Sequence, residues 1–300
     1  MNRVLIIGGS GFIGHNLANL LVKKKFKVTS ISIKGKNNNK FNKKVNYIKG
    51  DICNLTFLKK IKFKFDYVIN ASGYYKTKQT FQYKKKLNEN FNALKNILDI
   101  LKKKNIKKFI QIGSSAEYEN LKSPLKENFK CNPKNIYGIH KLKCTRYCMN
   151  FYKFNKLPIT IIRIFSIYGE ENNKGFIRFL FSKSINKQKT LIRNSNDTRD
   201  FLNIKELSLI IFKIMNTKKS DGEIINIGSG QPIKLKKIIN FVNKISKTGY
   251  LKYSKKEYPE LDIYPDISKL KKIIKNKINF NLNKDLQILN KMYVLKYTIK

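Results

Sequence analysis

Residues 8–14 read Gly-Gly-Ser-Gly-Phe-Ile-Gly and follow directly on the apolar run Val4-Leu5-Ile6-Ile7. Glycines at Gly8, Gly11 and Gly14 permit a sharp turn, a close approach of backbone to a pyrophosphate, and tight packing of a helix on a strand. A plain bend would need only one or two of them. Phe12, Ile13, Leu17, Leu20 and Leu21 then recur at helical spacing. A strand, a glycine turn and a helix opening on it make an anion site at a helix N-terminus. The competing reading is a tight turn and nothing more.

The rest of the first half repeats the strand–helix alternation. Strands are expected at Val4–Ile7, Lys27–Ile33, Val45–Lys49, Asp66–Ala71, Phe109–Ile112 and Ile159–Phe165, with helices at Ile13–Lys24, Lys84–Lys103 and Tyr137–Phe154. Such alternation predicts an α/β fold with a doubly wound parallel sheet. Lys34–Lys44 reads as a loop. Beyond Ser166 the alternation loosens, which predicts a division into residues 1–165, a dinucleotide-binding domain, and 166–300, a smaller mixed substrate domain. Some segments of the second part are expected to return to the first. Leu270, Ile273 and Ile274 mark a basic amphipathic helix, expected to pack on the domain rather than on a membrane.

Charge asks for an explanation, since the formal net value is +45. Lysine supplies 58 of the 64 basic residues and arginine six. Base readout favours arginine, and no aromatic RNA-binding signature is present. Lysine is spread evenly beside asparagine and isoleucine, which reads as compositional drift; only non-specific, salt-sensitive nucleic-acid binding is expected. Cys53, Cys131, Cys144 and Cys148 form no CxxC pair and neither histidine completes a metal site, so reduced structural thiols and no metal are expected. No apolar run approaches the ~20 residues of a membrane span, and no leader is expected ahead of the first strand. A cytoplasmic protein is expected.

The chemistry centres on two segments. Lys108–Ile112 runs into Gly113-Ser114-Ser115-Ala116-Glu117, and Tyr137-Gly138-Ile139-His140-Lys141 opens a helix further on. Tyrosine and lysine four apart share a helical face, where the ammonium favours a phenolate. A strand-end serine could hold the oxygen that gains or loses the proton. Tyr-x-x-x-Lys also occurs at Tyr74, Tyr118 and Tyr152, but only Tyr137 has an upstream serine pair, a preceding Pro133 and a helix start.

With these segments in view, the chain resembles an extended short-chain dehydrogenase/reductase of the NAD-dependent epimerase/dehydratase family, nearly end to end. The resemblance rests on GGSGFIG at 8–14, GDI at 50–52, NENFNALKNIL at 88–98, GSSAEY at 113–118, YGIHK at 137–141, RIFSIYG at 163–169, TRDFLNIKEL at 198–207 and NIGSGQP at 226–232. It implies a Rossmann-type fold and a catalytic set of Ser115, Tyr137 and Lys141. Tyr137 would act as general acid/base, Lys141 would also bind the nicotinamide ribose, and Ser115 would hold the reacting oxygen. Gly8, Gly11 and Gly14 would cradle the pyrophosphate, with helix-start amides from Phe12 and Ile13. Asp51 and Ile52 would meet the adenine, and Ala71 would border the cofactor. Arg199 would pair with a nucleotide-sugar diphosphate, beside Ser166, which replaces a frequent asparagine. Asp51 as a helix cap and Arg199 paired only with Asp200 are the bland alternatives.

Departures from the family narrow the reaction. Ala116 stands where dehydratases carry an aspartate, although Glu117 remains, and His140 replaces a common serine. Ser30-Ile31-Ser32-Ile33-Lys34 supplies no carboxylate for a ribose 2′-hydroxyl, and Ser32 and Lys34 suit a 2′-phosphate better. The expectation is an NADP-dependent 4-keto reductase acting on a nucleotide-diphosphate sugar as a homodimer. The alternative is a 4-epimerase that retains NAD, and a rival from another class is a non-catalytic dinucleotide sensor or polyanion binder.

Overall fold

The structure is a computed structural model and describes residues 1–35, 41–73, 80–170, 172, 175–254, 260–275 and 280–298. The first half runs β1 (Arg3–Ile7), α1 (Phe12–Lys23), β2 (Lys27–Ser32), β3 (Asn46–Lys49), α2 (Leu55–Lys60), β4 (Tyr67–Asn70), α3 (Phe81–Leu101), β5 (Lys108–Ile112), α4 (Ile136–Asn155) and β6 (Ile159–Ile164). All six expected strands and three expected helices are there, with bounds close to those read from the sequence. The second half runs β7 (Ser166–Tyr168), α5 (Phe176–Ile185), β8 (Thr190–Ile192), β9 (Thr198–Asn203), α6 (Ile204–Met215), β10 (Glu223–Ile227), β11 (Pro232–Lys234), α7 (Leu235–Ile245), β12 (Leu251–Tyr253), α8 (Ser268–Ile274) and α9 (Leu282–Thr298).

Among the described residues the main sheet has seven parallel strands in the order β10-β6-β5-β4-β1-β2-β3. After Arg3, β1 is apolar because both its faces are covered: Val4 and Ile6 enter one core, Leu5 and Ile7 the other. The first core takes Leu17 and Leu21 of α1, Leu207, Ile211 and Ile214 of α6, and Leu270 and Ile274 of α8. The basic helix around Leu270 therefore packs on the sheet, as expected. The opposite core takes Leu94, Ile97 and Leu98 of α3 and Cys144 and Cys148 of α4. A smaller mixed sheet, β11-β9-β7, and the β12-β8 pair form with α5, α7 and α9 a third core around Phe181, Phe201, Ile239 and Tyr293.

Strand order reverses at β1, which lies between β2 and β4. That reversal opens a crevice beyond the carboxyl ends of the strands, where ligands bind in open α/β sheets. Both clefts described below lie on that side.

Candidate active site

The glycine turn leaves β1 with Gly8 at a φ of +81°, a left-handed conformation that favours glycine. The Gly8 amide donates to Ile31 O at 2.8 Å, and a Cβ on Gly8 would stand 2.8 Å from Ala71 O. The turn is thus pressed between the ends of β2 and β4. Around it lies a cleft of about 260 Å³ lined by Gly8, Ser10 and Gly11, by Ile31 to Lys34, by Gly50 to Ile52, and by Ala71 to Gly73 with Asn90. Asp51 is the one carboxylate among these residues, and none stands at the end of β2. A bare glycine turn at a helix start, an adjoining slot and a serine and lysine at its rim fit a dinucleotide phosphate chain.

The loop after β4 is fixed from beneath. Asn70 donates to Gln111 Oε1 at 2.9 Å and accepts from the Ser72 hydroxyl at 2.6 Å, while Asn90 donates to Ser72 Oγ at 3.2 Å. Asp51 Oδ1 accepts from Cys53 N at 2.9 Å, and the cap of α2 is Asn54, which accepts from Phe57 N at 3.0 Å. Asp51 is therefore not the helix cap.

Tyr137 is brought to the sheet by the way α4 begins. Asn135 caps the helix, accepting from Gly138 N at 2.7 Å, and Glu119 accepts from Asn135 N at 2.8 Å and from Lys134 N. A Cβ on Gly138 would collide with the Ala116 carbonyl and stand 2.8 Å from Pro133 Cβ. Only glycine lets the first turn of α4 close onto the 3-10 turn Ser115–Tyr118. Ser114 caps that turn through Ala116 N at 3.1 Å, and Glu117 returns a bond from Ser114 N at 3.0 Å. Lys141 is buried; its Nζ donates to Ile112 O at 2.9 Å and lies 5.8 Å from the Tyr137 ring centroid. A Cβ on Gly73, which lines the first cleft, would stand 3.5 Å from that Nζ, so Lys141 lies close behind that end of the first cleft.

The second cleft, about 820 Å³, is lined by Tyr137, Ser114, Ser166, Arg178 and Arg199, with walls including Phe12, Tyr168 and Phe201. Its described lining holds neither lysine nor carboxylate. Ser114 lines this cleft with Tyr137, while Ser115 opens the 3-10 turn beside it and, like Lys141, is not among the residues that line either cleft. Glu117 also stays out of the cleft, fully buried with its Oε2 at 2.9 Å from Arg163 Nε.

Of the expected cofactor residues, Gly8, Gly11, Ser32, Lys34, Asp51, Ile52 and Ala71 line the first cleft. Phe12 faces the second, and Ile13 packs on the core of the α1 face. Gly14 lines neither, since it packs on the turn itself, where a Cβ would be 2.6 Å from Gly8 O. Arg199 pairs with Asp197 at 2.9 Å rather than with Asp200, which accepts from Ser229 N and Gly230 N, each at 2.7 Å. Sequence reading missed Ser10, Ser72, Asn90 and Arg178. Asn90 lay within a quoted motif, whereas Arg178 had no signal beyond being an arginine in a lysine-rich chain. Tyr74, one of the rival Tyr-x-x-x-Lys tyrosines, and residues 36–40 of the expected loop lie outside the described residues.

The family model of the NAD dependent epimerase/dehydratase family matches residues 4–228. A dTDP-D-glucose 4,6-dehydratase of Dictyostelium discoideum is 30% identical over 272 residues, covering 80% of this chain and 62% of its own length. A dTDP-6-deoxy-L-talose 4-dehydrogenase (NAD(+)) of Aggregatibacter actinomycetemcomitans is 27% identical over 241 residues, 78% of this chain and 87% of that one. Among solved structures, the UDP-glucuronic acid 4-epimerase of Bacillus cereus, in complex with UDP-glucuronic acid and NAD, superposes with a TM-score of 0.84 at 23% identity. That match covers 99% of each chain.

Proposed function

This chain belongs to the NAD dependent epimerase/dehydratase family, and from that premise we propose that it reduces a 4-keto sugar nucleotide with NADPH. The observation that carries the reading is the shared cleft of Ser114 and Tyr137 with Lys141 behind it. Tyr137 donates its phenolic proton to the ketone oxygen, and the Ser114 hydroxyl holds the same oxygen. Lys141, fixed on Ile112 O, supplies the positive charge that favours the phenolate left behind. The nicotinamide, when bound, supplies the hydride that goes to the carbonyl carbon. Gly8 and Gly11 hold the pyrophosphate at the helix start, Asp51 and Ile52 the adenine side, and Arg199 and Ser166 belong to the nucleotide-sugar side. Carbon 4 is supported by the relatives, a 4,6-dehydratase and a 4-dehydrogenase.

NADPH rather than NADH is supported by the rim of the first cleft, where Ser32 and Lys34 stand and β2 ends without a carboxylate. A second reading, a 4-epimerase with retained NAD, is favoured by the likeness to an epimerase fold that holds NAD. A homodimer in the cytoplasm and the division at residue 165 are part of the same proposal; light scattering tests the first. The deciding experiment follows absorbance of NADPH with a panel of 4-keto sugar nucleotides. Stoichiometric NADPH oxidation, lost by about 10²–10⁴-fold in Tyr137→Phe with NADPH binding kept, supports the reductase. Protein that purifies with NAD and interconverts two sugar epimers without added cofactor overturns it in favour of the epimerase.

A further inference from the structure

Three consecutive residues at the end of the serine turn tie it in three directions. Glu117 pairs with Arg163 of β6, and Tyr118 donates to Asn226 Oδ1 on β10. Glu119, which caps the C-terminal end of the Ser115–Tyr118 turn, reaches the start of α4. Its Oε2 accepts from Asn135 N at 2.8 Å and from Lys134 N. Those two amides immediately precede the helix that carries Tyr137, and Asn135 is its N-cap. Burial works against the charge of Glu119, yet bonds from the backbone and side chain of Asn135 and from the backbone of Lys134 hold its carboxyl below the ordinary range. Bonds of this charge-assisted kind are about twice as strong as neutral ones.

Glu119 is not among the residues that line either cleft, so any effect on the chemistry passes through the residues it holds. The route is short. Asn135 lines the Tyr137 cleft, its Oδ1 takes Gly138 N at 2.7 Å, and Tyr137 lies between those two residues in the chain. On the other side, Gly138 sits against the Ala116 carbonyl of the turn that Glu119 ends. Close contact at Gly138 sets how near the turn and the helix approach, but it resists sliding only weakly. A carboxylate on two successive amides is directional and fixes their offset as well. Ser114 opens that turn and Tyr137 that helix, so the offset between turn and helix is the offset between the two side chains in the cleft.

We propose that Glu119 is a positioning residue for the reaction: by holding Lys134 N and Asn135 N it sets the place of Tyr137 relative to Ser114, and so governs kcat without touching substrate or cofactor. The proposal rests on the reading of Tyr137 as general acid.

Two readouts test it: NADPH oxidation with UDP-, dTDP- and CDP-linked 4-keto sugars, and the NMR signal of Tyr137 in protein carrying ring-labelled tyrosine, assigned by its absence in Tyr137→Phe. Glu119→Ala is expected to lower kcat about 10–100-fold, the scale of a misplacement near 1 Å at a reacting group. KM and NADPH affinity should stay close to wild type, and the Tyr137 signal should shift. Glu119→Gln, which keeps an acceptor oxygen, is expected to recover most of the loss; Glu119→Asp, one methylene short, gives a milder form of the Ala result. Asp66 is the control, because its Oδ2 accepts from Arg3 N at 2.7 Å at the start of β1, the opposite end of the sheet from both clefts. Asp66→Ala should lower the melting temperature and leave kcat unchanged. Wild-type kcat in Glu119→Ala overturns the proposal, as does a loss of kcat with the Tyr137 signal unmoved, or an equal loss in Asp66→Ala. Wild type that binds NADPH but oxidises it with none of the ketones brings down the reductase reading instead; the Tyr137 signal in Glu119→Ala then decides the positioning role by itself.

Discussion

Arg163 and Glu117 form an ion pair sealed between β6 and the serine turn, with Nε 2.9 Å from Oε2. The other carboxylate oxygen accepts from Ser114 N, so one buried acid links a strand of the sheet to the residue that meets Tyr137 in the cleft. Arg163 also covers the Tyr118 ring, and Tyr118 donates to Asn226 Oδ1 at 2.8 Å on β10. The acid retained from the family's motif is thus a support for the turn rather than a group that reaches substrate.

Removing one partner leaves the other charged and buried. Glu117→Ala is expected to lower unfolding free energy by about 3–5 kcal/mol, whereas the double change Glu117→Leu with Arg163→Met should recover most of that loss. Urea denaturation measures both. A single variant within 1 kcal/mol of wild type, on the order of an exposed pair's worth, would contradict the burial argument.

The two adjacent serines can be told apart by substitution. Ser114→Ala is expected to reduce kcat well beyond the effect of Ser115→Ala, because only the first lines the cleft with Tyr137. Since Ser114 also caps the 3-10 turn, Ser114→Thr serves as the control that keeps a hydroxyl and a cap. Equal losses in the two alanine variants would refute the choice of Ser114.

His140 makes stability depend on pH. Burial, and then the charges of Lys141 and Lys143, hold its imidazole down to about 3 against an ordinary 6.5. The unfolded chain therefore binds more protons between those values, and stability rises with pH across that window and levels off above it. As pH falls from about 6.5 the contribution is lost. Denaturant midpoints from pH about 4 to about 7 should show a shallower slope in His140→Asn than in wild type. An unchanged slope would mean that the ring protonates without cost.

The lysine surface should bind duplex DNA of any sequence at low salt and release it steeply between about 50 and 200 mM. Electrophoretic shift with two unrelated duplexes checks this. Sequence-selective binding that survives high salt would revive a nucleic-acid role that the composition argues against.

What could be read in advance follows the range of the interactions involved. The glycine turn, the helix periodicity after it and the continuous apolar strands are local signals, and they located β1 through β6 and their helices closely. Short strands of three residues such as β8 (Thr-Leu-Ile) and β12 (Leu-Lys-Tyr) have no alternation to detect; their partners, 251 to 190, are far apart in the chain. α9 was not anticipated, because its asparagines and lysines blur its apolar stripe. In the site, Tyr137 and Lys141 were legible from one helical turn. The place of Ser114 in the cleft depended on the 3-10 turn that follows β5, and that of Arg178 on α5, remote in the chain from Tyr137. Neither is written in nearby sequence.

β10 closes the sheet from far downstream, pairing Glu223–Ile227 with Thr160–Ile164. On the ribosome, β6 therefore exists for some time as an open edge of isoleucines with its ladder groups unmatched, while the intervening segment is still being made at about 5–20 residues per second. During those seconds the growing polypeptide is exposed to edge-to-edge association with its neighbours. Premature termination after β6 and before residue 223 leaves that edge permanently bare, so such products are expected to be insoluble rather than merely inactive.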